Sequence, residues 1–91
     1  MAENGTYDLA LELLKELLPE QEQALGKNNP ETLVTRFSIA HYMAESGTTE
    51  LALKLFRELL PDQERVLGKE NAFTLGTMKQ IELCQSKIAR K

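Results

Sequence analysis

The chain repeats itself. Shifted by 42 positions, residues 2–35 (AENGTYDLALELLKELLPEQEQALGKNNPETLVT) lie over residues 44–77 (AESGTTELALKLFRELLPDQERVLGKENAFTLGT) without a gap, and 21 of 34 positions are identical. The identities include Gly5/Gly47, Ala10/Ala52, Leu17/Leu59, Leu18/Leu60, Pro19/Pro61, Gly26/Gly68, Asn29/Asn71, Thr32/Thr74 and Leu33/Leu75. After Thr35/Thr77 the similarity fades, and Ile39/Ile81 is the one later identity up to Met43/Gln85. A repeat of this length restricts the fold to stacked supersecondary units. Each unit buries its apolar face only against its neighbours.

The units read as helices. The chain is rich in Leu, Glu and Lys, with aromatics at 5% and no Trp, which favours helix over strand. Asn29 is a good N-cap, and Pro30 suits the first helical turn, where its missing N–H is an orphan anyway. The helix that follows runs to Gly47, a typical residue just past a helix end. Thr48 or Thr49 can cap the next helix, which runs to Gly68. The first unit repeats this pattern, with Gly5–Thr6 ahead of a helix to Leu25 and then Gly26. The last helix starts near Asn71 and runs toward Ile88. Connections of a few residues make neighbouring helices antiparallel.

Pro19 and Pro61 sit inside the two long helices. A break there gives three helices per unit; continuity gives two. Leu18 and Leu60 precede the prolines and are poor N-caps. The apolar stripe also keeps its phase across them: Leu18 to Leu25 and Leu17 to Ala24 are spaced i,i+7, as are Leu60 to Leu67 and Leu59 to Val66. The expectation is one long helix per unit, kinked at Pro19 and Pro61, with the carbonyls of Lys15 and Arg57 released to water.

These features resemble the tetratricopeptide (TPR) repeat, in the longer variety found in kinesin light chains and many bacterial proteins. The resemblance rests on ALKLFRELLPDQERVLGKENAFTL, the Gly47 turn, Ala52 and Phe56 on the second-type helix, and Ala40 at the small position of the first-type helix. It implies an all-α fold, an α-α superhelix or TPR-like solenoid of four antiparallel helices. The expected organisation is one domain over 1–91 with repeat units 2–43 and 44–85. The frame starts on a second-type helix and ends on a first-type one, so the two repeats are out of frame and read as a fragment of a longer array. Two positions depart from the pattern. The bulky residue usual early in the first-type helix is Arg36 in one copy and Met78 in the other. Ala40 is replaced by Glu82, whose carboxylate would not tolerate a close helix packed over it. The last helix therefore reads as a solvent-facing cap.

Little in the chain suggests catalysis. His41 is the one histidine and reads as a surface or groove residue. Cys84 is the one cysteine; it precludes an internal disulfide and reads as a half-buried core thiol. No Cys/His spacing fits zinc, and no glycine-rich phosphate loop is present. No cofactor, no metal site and no enzymatic activity are expected. Net charge is −3, which argues against nucleic acid as a partner. No apolar run approaches the roughly 20 residues of a membrane span. Leu9, Leu11, Leu13, Leu14, Leu17 and Leu18 cover a wide arc, which a helix packed between two neighbours explains better than a membrane surface does, because the polar face is acidic. A signal peptide is not evident, and the expected location is cytoplasmic.

The remaining function is binding. In TPR arrays the first-type helices line a concave groove that holds a peptide. Carried over by position, the groove would present Val34, Phe37, His41 and Glu45 from one copy, and Gly76, Lys79, Leu83 and Lys87 from the other. Phe37 and Leu83 would supply apolar contact, and Lys79 and Lys87 would pair with acids. The alternative is that these are only exposed helix positions. The expected function is thus a non-enzymatic scaffold for a protein or peptide partner. The second expectation is a self-assembling module. Residues 1–26 carry six acids and one base, whereas residues 72–91 carry four bases and one acid. Opposite ends and open faces point to a homo-oligomer, a dimer or a head-to-tail stack.

Overall fold

The computed structural model describes the backbone of residues 2–90 and the side chains of residues 7–90. It contains four α-helices, α1 (Ala2–Leu25), α2 (Pro30–Glu45), α3 (Thr49–Leu67) and α4 (Ala72–Ala89), and no strand among the described residues. Local chemistry sets most of the boundaries. The Asn29 side chain accepts a hydrogen bond from the backbone N–H of Glu31 at 2.9 Å, with Pro30 in the first turn. Asn71 does the same for the N–H of Phe73 at 2.9 Å. Each satisfies one of the donors that a helix start leaves unpaired. At the other ends, Gly47 and Gly68 adopt φ of 102° and 95°. Side-chain-bearing residues rarely take up such angles, so glycine lets the chain turn back at once.

Two boundaries differ from expectation. Thr48 stands at the N-cap of α3, but its hydroxyl makes no capping bond; its N–H instead donates to the Met43 carbonyl at 2.9 Å and closes the turn out of α2. Gly5 lies inside α1, unlike its counterpart Gly47.

Both long helices are continuous through their prolines, Pro19 in α1 and Pro61 in α3. The unit is therefore a helix pair. Each proline is exposed. Its missing N–H leaves the carbonyl four residues earlier without its usual partner, and placement on the outer side keeps that defect out of the core.

The helices stack in order. α2 packs on α1, α3 on α2 and α4 on α3, while α4 also touches α2. Among the described residues the backbones of α1 and α3 do not come into contact. The core is Ile39, Ala40, Met43 and Ala44 of α2, Ala52, Leu53 and Phe56 of α3, and Cys84 of α4. α1 adds only partly buried residues, Leu11, Leu14 and Leu18. A helix flanked on both sides explains the wide apolar stripe of α3. It does not explain α1, which has one neighbour and leaves Leu9, Leu13 and Leu17 exposed.

Arg36, one of the departures from the repeat pattern, is held by chemistry that no comparison of repeats displays. Its guanidinium donates to Asp62 of α3 at 2.8 Å, and both side chains are largely buried. Arg65, one turn on from Asp62, donates to its other oxygen at 2.8 Å. Burial pushes the Asp62 carboxyl up, but hydrogen bonds and charge from Arg36 and Arg65 outweigh it and hold its pKa below the ordinary value. The first unit has Glu20 and Gln23 at the matching places, and no such pair forms there among the described residues.

Two outcomes are expected. Asp62→Asn costs about 1–3 kcal/mol at neutral pH, because it strands a largely buried guanidinium. Since the folded pKa is depressed, this advantage of the native chain is full above the unfolded carboxyl value of about 3.9 and disappears as pH falls through the folded value. Denaturant unfolding of both proteins at pH 7 and pH 2 measures the gap and its closure. Pro61→Ala raises stability by about 2 kcal/mol, from roughly 3 kcal/mol of relieved helix-interior cost less up to about 1 kcal/mol of lost restriction in the unfolded chain. A lower melting temperature instead would mean that the packing of α3 depends on the proline.

Candidate protein-interaction face

α2 and α4 carry the eight residues expected to line a groove, and six of them are the candidate contact residues. Val34, Phe37 and His41 follow helical spacing on α2, as Lys79, Leu83 and Lys87 do on α4, so each set shares one face. Val34, Leu83, Lys79 and Lys87 are exposed, and Phe37 and His41 are half-buried.

The structure brings some of these together. Phe37 stacks on His41 at 6.1 Å with the rings 8° from parallel. Its edge contacts join it to Phe56 of α3 at 5.5 Å and to Phe73 of α4 at 6.5 Å. His41 continues the chain of rings to Tyr42 at 5.6 Å, and Tyr42 to Tyr7 of α1 at 5.7 Å. Aromatic contacts of this kind each add about 0.5–1.5 kcal/mol beyond area burial. Phe37 is therefore both a face residue and a joint between three helices. No aromatic contact or ion pair links Val34, Lys79, Leu83 or Lys87 to this cluster. Neither lysine is in an ion pair among the described residues.

Sequence reasoning missed Phe73. It is exposed in the first turn of α4 and meets Phe37 edge to face. One signal was available: its counterpart in the other unit is Glu31, so the aromatic is peculiar to α4. Gly76, in the next turn, has open space where a Cβ would stand.

A concavity lies away from α4. It has a volume of about 590 Å³. Leu18 and Glu22 of α1, Lys27 of the α1–α2 turn, Arg36 and Ile39 of α2, and Leu55, Glu58 and Asp62 of α3 line it. It exists because the backbones of α1 and α3 do not come into contact and α2 forms its floor. None of the six expected residues lines it. Its charged groups include the Arg36–Asp62 pair, which is already satisfied internally.

Chemistry beyond binding finds little support. Cys84 is fully buried in the core, more deeply than expected. Burial pushes its thiol pKa up, against a smaller pull from Lys87, which is the reverse of what a nucleophile needs. His41 has ring neighbours but no hydrogen-bond partner for its buried Nδ1. Among the described residues no group of three or more His, Cys, Asp or Glu side chains could hold a metal ion. No helix among them is long and apolar enough to cross a membrane.

Comparison with known proteins agrees with this picture. The model of the tetratricopeptide repeat matches residues 1–65. No curated protein matches, and no solved structure matches. Helix pairs stacked in sequence order, small residues in the core that α2 and α3 share, and a family match over most of the chain agree. This protein belongs to the tetratricopeptide repeat family, whose members are protein–protein interaction modules and typically non-catalytic scaffolds.

Proposed function

We propose that the protein is a non-enzymatic scaffold that holds a peptide segment of a partner protein along the face shared by α2 and α4. The observation that carries this reading is the Phe37–Phe73 contact, which joins an aromatic from each helix on a side where further apolar groups stay exposed. Phe37 and His41 offer parallel ring faces, with Phe73 edge-on beside Phe37. Val34 and Leu83 extend this floor. Lys79 and Lys87 lie along the α4 part with no ion pair among the described residues. Such a face suits a segment with aliphatic or aromatic residues and one or two carboxylates. Lysines on the rim act mainly through steering and selectivity, while the apolar floor supplies the affinity.

The test is a peptide array of apolar residues interleaved with Asp and Glu, followed by titration of the best binder. Lys79→Glu is expected to weaken that binder about tenfold, equal to about 1.4 kcal/mol. Leu83→Ala should weaken it by a similar factor. Both positions are exposed, so the fold should be retained, which circular dichroism checks. An affinity indifferent to both substitutions would remove this face from consideration.

A further inference from the structure

The two ends of the chain match each other. By the repeat, α4 is the counterpart of α2, and α1 is the counterpart of α3. The pair α2–α3 is therefore an internal template for α4 laid against the α1 of a second copy. Burial shows what that template covers. Leu33 on α2 is 1% exposed, whereas its counterpart Leu75 on α4 is 50% exposed. Both helices have a helix packed before them, and only α2 has one packed after it. Likewise Leu59 on α3 is 1% exposed and its counterpart Leu17 on α1 is 40% exposed. There α3 has a helix before it, and α1 has none. Each end thus exposes the residues that the other type of helix covers inside the molecule.

Charge favours the same union. The segment containing α1 carries six acids and one base, and that containing α4 carries four bases and one acid. Met78 would add apolar surface beside Leu75, and Leu13 would add it beside Leu17; all four are exposed.

The match is not perfect: Gln85 stands where α2 buries Met43, Glu20 stands where Asp62 meets Arg36, and Glu82 fits worst. Ala40 of α2 and Ala52 of α3 are both 0% exposed and sit in one core cluster, so the template has no room beyond a methyl group on either side. The counterpart of Ala40 is Glu82, and that of Ala52 is Ala10. α1 offers no base near Ala10. Its one base is Lys15, and the nearer charges are Asp8 and Glu12. Union would enclose an unpaired carboxylate where only a methyl fits, which is penalised by both desolvation and overpacking.

We infer that α4 of one copy and α1 of the next form a complementary interface, and that Glu82 is the main group that keeps it from closing in the native chain. The head-to-tail stack that the opposite charges favour is then gated chiefly at Glu82. The contact is heterologous and repeats the step by which α3 follows α2, so once released it extends the stack in one direction and does not close as a dimer.

The test compares the native chain, Glu82→Ala, and Glu82→Ala combined with Leu17→Glu by sedimentation velocity over a range of concentrations. Glu82 and Leu17 are both exposed, and circular dichroism confirms that each variant is folded. The weight-average mass of Glu82→Ala should exceed that of the native chain. It should rise past twice the monomer mass without a plateau, as an open heterologous contact requires. The double variant should return to the native mass. The inference is overturned if Glu82→Ala keeps the native mass at every concentration, if its association stops at a dimer, or if Leu17→Glu fails to reverse it.

Discussion

The close approach of α2 and α3 around Ala40 and Ala52 is the contact on which the rest depends. Two residues without bulk let the helices come near enough for Phe56, Leu53, Ile39 and Met43 to fill the space beside them. Dense packing of this kind is where a helical repeat gains most of its stability, because an isolated helix of this length is marginal in water. α1 and α4 are attached to this pair, one on each side. Phe37 shows the dependence well. It reaches Phe56 in the core and Phe73 on α4, so the candidate binding face takes its shape from the same packed centre.

The repeat makes the fold a controlled comparison of environment. Leu33 and Leu75 have the same residue type and the same helix position, each directly after a threonine, yet one is buried and the other exposed. The Leu17/Leu59 pair behaves in the same way. Hydrophobic stabilisation follows the area removed from water, so the same leucine contributes to stability in the middle of the stack and to association at its ends. Polar residues mark the same asymmetry. Asp62 is engaged by Arg36 across α2 and α3, whereas Glu20, its counterpart, has no arginine to meet among the described residues.

The helical architecture was legible because its signals are local. Asn29, Pro30 and Asn71 mark helix starts, Gly26, Gly47 and Gly68 mark the ends, and the in-phase leucines carry the helix through Pro19 and Pro61. The candidate face was only partly legible. Spacing places Val34, Phe37 and His41 together, and Lys79, Leu83 and Lys87 together, since a helix face is a matter of periodicity. Phe73 was missed because its role comes from a contact between two helices 36 positions apart in the chain. The cleft between α1 and α3 was missed for a similar reason, since it is a gap that no residue encodes alone.

What the sequence by itself determined is the unit: two helices, their limits, their apolar stripes and the number of times they recur. Those properties depend on hydrogen bonds and side-chain spacing within about one or two helical turns. Only the tertiary structure decided which stripes are covered and why Arg36 is tolerated inside the stack. Those outcomes depend on whether another helix lies alongside, and a repeated sequence holds the same residues whether the neighbour is there or not.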